Sequence, residues 1–441
     1  MLDQTPNRSA DQQARYQQLS AALTANNVNL ANYWQALQTG LPPPQARETK
    51  VEASATQKLL RRLPAGTVVV YTLVLDDKLD LIVVHPDAMA QKSVAIKRTE
   101  LADTVEQFRA AIRDRKQGDA LLAPARRLYD WMVAPIAADL EGAHAATIAW
   151  SLDGVLRYMP VNALYDGRQF LIERYTNVIY TPADTTGLEQ KPEIAAWKAL
   201  GLGVSKQYET ELNALPAVPG ELRTIVHDQQ DRDSHGPLPG RILLDDAFTE
   251  QALEQQLRLR YPLVHIASHF VVGLGTDESY LLLGGKDKGG QGYRLRLSDV
   301  ETLQNLSFDG TALLALSACQ TAMSSKEADG KEVDSLAAIG RERGAQAVLA
   351  SLWDVNDAST GRLMADFYRR WSGTRSLPKA EALRQAQLAL LQGTGSGAGD
   401  AANAGRGFHP VPLSGDARPP DAPAYSHPYY WAPFILMGNW Q

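Results

Sequence analysis

Residues 311–320 read TALLALSACQ, an apolar run that ends in the single cysteine of the chain, Cys319. The run does not alternate apolar with polar positions, which is typical of a strand buried on both faces of a parallel sheet. Three further runs of the same kind are Lys198–Val204, Pro262–Ser268 and Ala347–Trp353. Segments with helical spacing lie between the runs, at Pro219–His227, Thr249–Leu259 and Glu332–Arg343. This alternation predicts an α/β layered sheet covered by helices over residues 193–441.

The chain before residue 193 has a different pattern. β-Branched runs at Thr67–Leu75 and Leu79–Val84 predict a hairpin, and helical spacing returns over Leu101–Arg113 and Leu121–Leu140. The dipeptides Asp153-Gly154 and Asp166-Gly167 predict two more hairpins. We interpret residues 64–192 as a non-catalytic mixed α/β unit with its own core, because its histidines are isolated along the chain and it has no cysteine. Residues 1–63 are predicted to be a helical segment.

The composition limits the classes of function. Lys plus Arg number 44 and Asp plus Glu number 50, which gives a formal net charge of −6 without a basic block and argues against nucleic-acid binding. One cysteine excludes an intrachain disulfide and a cysteine-rich metal site. The first residues lack the apolar segment of a signal peptide, and no apolar run approaches the ~18 residues of a membrane helix. We therefore expect a cytoplasmic protein that does not bind a membrane.

A cysteine and a histidine follow two of the predicted buried strands. Cys319 follows the run over residues 311–318, and His269 follows the run over residues 262–268, 50 positions earlier in the chain. Ligands bind at the carboxyl edge of open α/β sheets, where both side chains are expected. A thiol needs a neighbouring base or imidazolium to be largely thiolate at neutral pH, and His269 is suited to that role. The alternative for a lone cysteine is a small buried core residue.

Other polar residues in these runs have different interpretations. His265 lies four residues before His269, which in a strand is about 13 Å away, so we interpret it as a hydrogen-bonded core histidine. The His-x-x-x-His spacing joins two metal ligands on a helix but not on a strand, and no third ligand is evident. Ser268 and Ser317 lack the Gly-x-Ser-x-Gly turn of a serine nucleophile.

Several segments resemble the CHAT family, a group of caspase-like cysteine proteases related to separase. The similar segments are residues 153–164 (DGVLRYMPVNAL), 215–223 (LPAVPGELR), 264–270 (VHIASHF), 316–322 (LSACQTA), 344–357 (GAQAVLASLWDVND) and 427–440. The resemblance covers roughly residues 65–441 in the right order. It implies a caspase-like α/β/α sandwich with a mostly parallel sheet, preceded by a degenerate α/β half.

The resemblance also assigns roles to residues. It implies that His269 is the catalytic histidine, that Cys319 is the nucleophile, and that the backbone N–H groups of Phe270 and Cys319 form the oxyanion hole. Many members have glycine where this chain has Phe270, but phenylalanine also supplies an N–H. The Leu-Trp-Asp-Val stretch resembles one that shapes the S1 pocket of separases, which implies that Asp354 and Asp357 bind a basic P1 residue. The alternative for both is a helix N-terminal role, to which Asp357 is especially suited.

These observations predict a cysteine endopeptidase that needs no metal or cofactor and cleaves a protein substrate. An activating protein partner is expected to bind the N-terminal helices. Residues 393–426, rich in Gly, Ala and Pro, are expected to form a long loop that a partner or cleavage orders, and Arg406 or Arg418 in it would suit self-cleavage. The alternative is a pseudoprotease that acts as a protein-binding scaffold, favoured by Phe270 in place of glycine and by the predicted helical segment over residues 10–62.

Overall fold

The structure is a computed structural model of the 441-residue chain. It describes residues 55–115, 119–181, 187–192, 194–271, 279–286, 292–296, 298–299, 306–320, 340–353, 355, 358–373, 377–394 and 425–441. Of residues 318–320 and 358 only the backbone is described. The predicted helices before residue 55, most of the predicted loop over residues 393–426, and most of the predicted helix over Glu332–Arg343 lie outside these ranges.

Fourteen strands of the described chain form one mostly parallel sheet. The strands are β1 (Thr67–Val74), β2 (Lys78–Val84), β3 (Met89–Ala95), β4 (Thr147–Ser151), β5 (Thr176–Ile179), β6 (Ala199–Gly203), β7 (Val226–His227), β8 (Leu238–Leu244), β9 (Leu263–Val271), β10 (Tyr280–Lys286), β11 (Gly292–Arg296), β12 (Leu313–Gln320), β13 (Ala347–Ser351) and β14 (Phe434–Gly438). Their order is β3-β2-β1-β4-β5-β14-β13-β12-β9-β6-β8-β7, with β10 beside β9 and β11 beside β10. The predicted α/β class with a mostly parallel sheet is confirmed.

Nine α-helices are named here, and residues 55–60, at the end of the predicted N-terminal helical segment, are helical as well. The nine are α1 (Arg98–Arg113), α2 (Leu122–Met132), α3 (Ala137–Gly142), α4 (Leu171–Arg174), α5 (Val218–Ile225), α6 (Glu250–Leu257), α7 (Ala358–Ser372), α8 (Lys379–Gln392) and α9 (Pro428–Trp431). The Thr249 hydroxyl caps α6 by accepting the N–H of Ala252, and Gly393 ends α8 in the left-handed region at φ 68°. None of the described helices is long and apolar enough to cross a membrane.

The structure confirms part of what the sequence predicts for residues 64–192. β1 and β2 form the predicted antiparallel hairpin, with Val70 opposite Val83. Asp153-Gly154, however, opens a 3-10 helix over Gly154–Tyr158, and the flanking β4 and β5 are parallel, so the hairpin predicted there is wrong. Two parallel neighbours require a crossover between them, and the apolar residues around Asp153-Gly154 belong to that crossover. Asp166-Gly167 does form a tight turn, closed by a single antiparallel bridge between Tyr165 and Phe170.

The end of the chain joins the two halves of the sheet. β14 pairs antiparallel with β13 on one side and parallel with β5 on the other. A buried chain of amide groups runs beside this junction. Its members are the Trp150 indole N–H donating to Asn177, Asn177 donating to Asn162, Asn162 donating to Gln387, and Gln387 donating to the carbonyls of Trp431 and Phe434. Residues 64–192 and 193–441 therefore share one sheet and one hydrogen-bonded interior.

Lys379 at the start of α8 is a buried cation. Its side chain is 0% exposed, its ammonium has no hydrogen-bond partner among the described residues, and Nζ lies 5.3 Å from the centre of the Trp371 ring. Burial lowers the pKa of Lys379 to about 7, because an apolar environment disfavours the charged form. The unfolded chain, in which a lysine has a pKa of about 10.4, binds more protons than the folded chain between these two values.

Lys379→Met is therefore expected to raise the free energy of unfolding by about 4 kcal/mol at pH 7 and by less than about 1 kcal/mol at pH 10. The wild-type chain gains stability as the pH rises from 7 to 10, since deprotonation relieves the buried charge, and the variant lacks this gain. Urea unfolding of both proteins at pH 7 and 10 measures the difference. Lys198→Met, at a lysine that donates to the Leu259 carbonyl near the surface, is the control. A Lys379→Met variant that is less stable at pH 7 would contradict the expectation.

Candidate active site

The candidate site lies at the end of a pair of neighbouring parallel strands. β9 and β12 are neighbours, and their register pairs Ala267 with Ser317 and then Phe270 with Cys319. Between these pairs β9 advances by three residues and β12 by two, so β9 has one extra residue at positions 268–269. Such bulges re-aim side chains and occur beside active sites. Given the usual strand spacing, the Cα atoms of His269 and Cys319 are about 6 Å apart.

The imidazole of His269 is buried and oriented by a backbone group. The residue is 1% exposed, and Nε2 lies 2.8 Å from the carbonyl oxygen of Asn213. A carbonyl only accepts hydrogen bonds, so Nε2 carries the proton and Nδ1 of the neutral ring is left as the basic nitrogen. Asn213 was not singled out in the sequence, and no residue type marks a backbone carbonyl with this role. The hydrogen bond therefore selects the Nε2–H tautomer of the ring, in which Nδ1 is the nitrogen that can accept a proton.

Phe270 lies inside the sheet rather than at a free strand end. β9 continues to Val271, and Phe270 is paired with Leu281 of β10 on one side and with Cys319 of β12 on the other. Its N–H therefore lies in the plane of the sheet beside a neighbouring strand. The oxyanion role of this N–H stays a prediction, as does that of the Cys319 N–H.

His265 is the core histidine that the sequence predicts. Its ring is fully buried, with Nδ1 2.8 Å from the Tyr368 hydroxyl and Nε2 2.9 Å from a Glu221 oxygen. Burial and the Glu221 carboxylate raise the pKa of Tyr368 well above its ordinary value, so the hydroxyl stays protonated and donates to Nδ1. Both ring nitrogens are thereby satisfied. Among the described residues no group of three His, Cys, Asp or Glu side chains could hold a metal ion.

The serines considered as nucleophiles are buried. The Ser268 hydroxyl donates to the Leu282 carbonyl at 2.6 Å, and Ser317 is buried in β12. Ser268 thereby ties β9 to β10 at the extra residue described above.

The predicted S1 residues lie outside the described part of the chain. This holds for Asp354 and Asp357, and also for Arg406 and Arg418, the predicted self-cleavage positions. Trp353, directly before Asp354, is described: it is buried after the end of β13, and its indole N–H donates to the Tyr429 carbonyl at 3.2 Å. The backbone that leads into the predicted S1 residues is thus fixed against α9.

A buried histidine held in one tautomer, beside the strand that carries the only cysteine, can do the chemistry of a thiol nucleophile and its base. The model of the CHAT domain matches residues 122–439 of the chain. The chain belongs to the CHAT domain family. The match begins in α2 and ends after β14, so it includes β9 and β12 together with much of the first half of the sheet.

Solved structures similar to this CHAT domain chain include those of caspase-like cysteine proteases. Two crystal structures of the Saccharomyces cerevisiae separase–securin complex match with TM-scores of 0.50 and 0.44 at 11% and 10% identity, each over 89% of this chain and 31% of that chain. The Arg-specific cysteine proteinase gingipain R matches with a TM-score of 0.36 at 9% identity, over 77% of this chain and 73% of that chain. This chain thus spans about a third of the separase chain. No curated protein sequence matches it.

Proposed function

We propose that the protein is a cysteine endopeptidase that uses Cys319 as nucleophile and His269 as base. The observation that carries the proposal is the parallel pairing of β9 and β12, in which Cys319 is the register partner of the residue after His269. The hydrogen bond between Nε2 and the Asn213 carbonyl supports it, because it leaves Nδ1 as the proton acceptor. The CHAT domain and the caspase-like fold support the same reaction class.

The reaction proceeds by acyl transfer. His269 Nδ1 takes the Sγ proton of Cys319, and the thiolate attacks the carbonyl carbon of the scissile bond. The N–H groups of Cys319 and Phe270 donate to the oxyanion of the tetrahedral intermediate. His269 then donates its proton to the leaving amine, which gives a thioester on Cys319. A water deprotonated by His269 attacks the thioester, which releases the carboxylic acid and restores the thiol.

We propose a protein substrate that is cleaved after a basic residue. The basis is the charge of Asp354 and Asp357, which follow the buried Trp353 in the sequence. A library of peptides with every residue type at P1 measures the preference. Cleavage after Arg and Lys is expected, and an Asp354→Asn variant should lose most of that preference while it still cleaves. A library profile without a basic P1 residue would contradict this part of the proposal.

A protein partner is proposed to control the enzyme. The separase neighbour is present in its crystal structure as a complex with securin. In this chain the N-terminal residues 1–63 are the proposed site for an activating partner. Self-cleavage after Arg406 or Arg418 is a second proposed route to activation. Mass spectrometry of aged protein tests this route. A chain that stays intact over residues 393–426 would contradict self-cleavage.

Alkylation of the single cysteine tests whether the thiol is activated. An ordinary thiol with a pKa of about 8.5 is only about 0.3% thiolate at pH 6, whereas a thiol paired with an imidazolium is largely ionised. We expect iodoacetamide to label Cys319 at pH 6 about tenfold faster or more in the folded chain than in the same chain unfolded in guanidinium. His269→Ala should remove the difference. Equal rates in folded and unfolded wild-type protein would contradict the dyad.

The second candidate function is a pseudoprotease scaffold. The specific observation in its favour is that Phe270 is paired with strands on both sides, whereas an oxyanion donor must be free to meet the substrate. The alkylation experiment separates the two functions. Rapid labelling at pH 6 would count against the scaffold, and an ordinary thiol profile would favour it.

A further inference from the structure

The carbonyl that orients His269 belongs to a loop with its own supports. The loop covers residues 205–215 and is closed by the Leu215 N–H, which donates to the Ser205 carbonyl at 2.9 Å. Asp245 holds the first end: its carboxylate accepts the Ser205 N–H at 2.7 Å, the Ser205 hydroxyl at 2.8 Å and the Lys206 N–H at 3.0 Å. Leu212 and Leu215, on either side of Asn213, are buried. The position of Asn213 therefore depends on the whole loop.

The middle of the loop is held by an ion pair to another part of the sheet. The Glu209 side chain is 5% exposed and accepts two hydrogen bonds from Arg294 of β11, at 2.6 Å from Nε and 3.0 Å from Nη2. The Tyr280 hydroxyl of β10 also donates to Glu209 at 3.0 Å. The Arg294 guanidinium stacks on the Tyr280 ring with 4.6 Å between centres. Two parallel N–H···O bonds between arginine and a carboxylate fix direction as well as distance.

Glu209 is coupled to Asn213 through the backbone. The Leu212 N–H donates to the Glu209 carbonyl at 3.3 Å, which forms a turn that leads directly into Asn213. A buried carboxylate that loses its cation is strongly unfavourable there and is driven towards water. Release of Glu209 would therefore displace the turn and with it the carbonyl that His269 donates to.

We propose that Glu209 and Arg294 are positioning residues for His269, because their ion pair clamps the loop over residues 205–215 to the β10–β11 hairpin. This inference rests on the proposed function, in which His269 is the base. The hairpin that supplies Arg294 also pairs with β9 at Phe270, through Leu281 of β10. The two sides of the candidate site are thus supported by the same pair of strands.

Two readouts on three variants test the clamp. The readouts are the rate of Cys319 alkylation as a function of pH and the tautomer of the neutral His269 ring, measured by NMR of ¹⁵N-labelled histidine at high pH, where the doubly protonated imidazolium is absent. Arg294→Met removes the clamp, Arg294→Lys keeps the charge but not the two-point geometry, and Arg296→Met removes an exposed arginine from the same strand as the matched control. Thermal unfolding checks that each variant is folded.

We expect Arg294→Met to slow labelling at pH 6 by about 10- to 100-fold, since a misplaced catalytic group loses rate on that scale. The Nε2–H tautomer of His269 should give way to a mixture. The labelling rate of Arg294→Lys should lie between those of the wild type and Arg294→Met. If Arg294→Met does not fold, Arg294→Lys is compared with the wild type instead. Arg296→Met should match the wild type.

The outcomes distinguish a failure of the proposed ion-pair clamp from a failure of the proposed function. If the wild type shows an ordinary thiol profile, the proposed function fails, and the tautomer of His269 in the Arg294 variants still decides whether the clamp exists. If the wild-type thiol is activated and the Arg294 variants keep both its labelling rate and the Nε2–H tautomer, the clamp is overturned. If Arg296→Met lowers the rate as much as Arg294→Met, the effect is one of surface charge and the clamp is overturned as well.

Discussion

Cys319→Ala is expected to abolish peptide cleavage, and His269→Ala to reduce it by about 10⁴-fold or more. The chain has no second cysteine, so the first variant removes every thiol from the protein. The second variant keeps the thiol but removes the imidazole that we propose both as the base that ionises it and as the acid that protonates the leaving amine. Nucleophile and base act as a unit in such sites, so the double variant should be no worse than Cys319→Ala.

Initial rates on the peptide that the library experiment identifies measure these losses. His235→Ala is the matched histidine control, because His235 is exposed and its Nδ1 contacts only the nearby Asp233 carbonyl among the bonds described. It should cleave at the wild-type rate. Turnover by Cys319→Ala equal to that of the wild type would show that the reaction does not use the thiol. If His269→Ala lowers the rate of peptide cleavage by less than tenfold, His269 is not the base.

His265→Ala is expected to lower the free energy of unfolding by about 2–4 kcal/mol, because it removes two buried hydrogen bonds and a buried ring. The residue lies four positions before His269 on β9, but its contacts are in the core. Its loss leaves the buried Glu221 carboxylate without the N–H that it accepts and the buried Tyr368 hydroxyl without an acceptor. A hydrogen bond to a buried carboxylate contributes more than one between neutral groups, so Tyr368→Phe should cost less, about 1–3 kcal/mol.

A double variant separates the charge from the lost volume. His265→Met combined with Glu221→Leu replaces the buried pair by apolar side chains of similar size, which is often neutral in other proteins. We expect urea unfolding to show the double variant closer to the wild type than His265→Ala. If the double variant is destabilised by the sum of the single effects, the two side chains do not act as a pair. Alkylation of Cys319 in the folded Tyr368→Phe protein should be unchanged, because Tyr368 contacts His265 and not His269.

The parts of the fold that the sequence predicts are those with a local pattern. The β1–β2 hairpin, the buried strands near residues 200, 265, 315 and 350, and the core role of His265 follow from apolar runs and their spacing. The prediction at Asp153-Gly154 is wrong for the same local reason, since this dipeptide suits the start of a 3-10 helix as well as a hairpin turn. The candidate site was predicted in part. His269 and Cys319 each follow a buried apolar run, which indicated that the two side chains lie at the same edge of the sheet.

The sequence alone determined which side chains could do chemistry, because a single thiol and few histidines leave few choices. Tertiary structure decided the arrangement around them. The register of β9 against β12, the extra residue at 268–269, the Asn213 carbonyl at His269 and the ion pair of Glu209 with Arg294 join residues far apart in the chain. Side-chain type is encoded at each position, whereas a strand register or the direction of a backbone carbonyl exists only once the distant segments have packed.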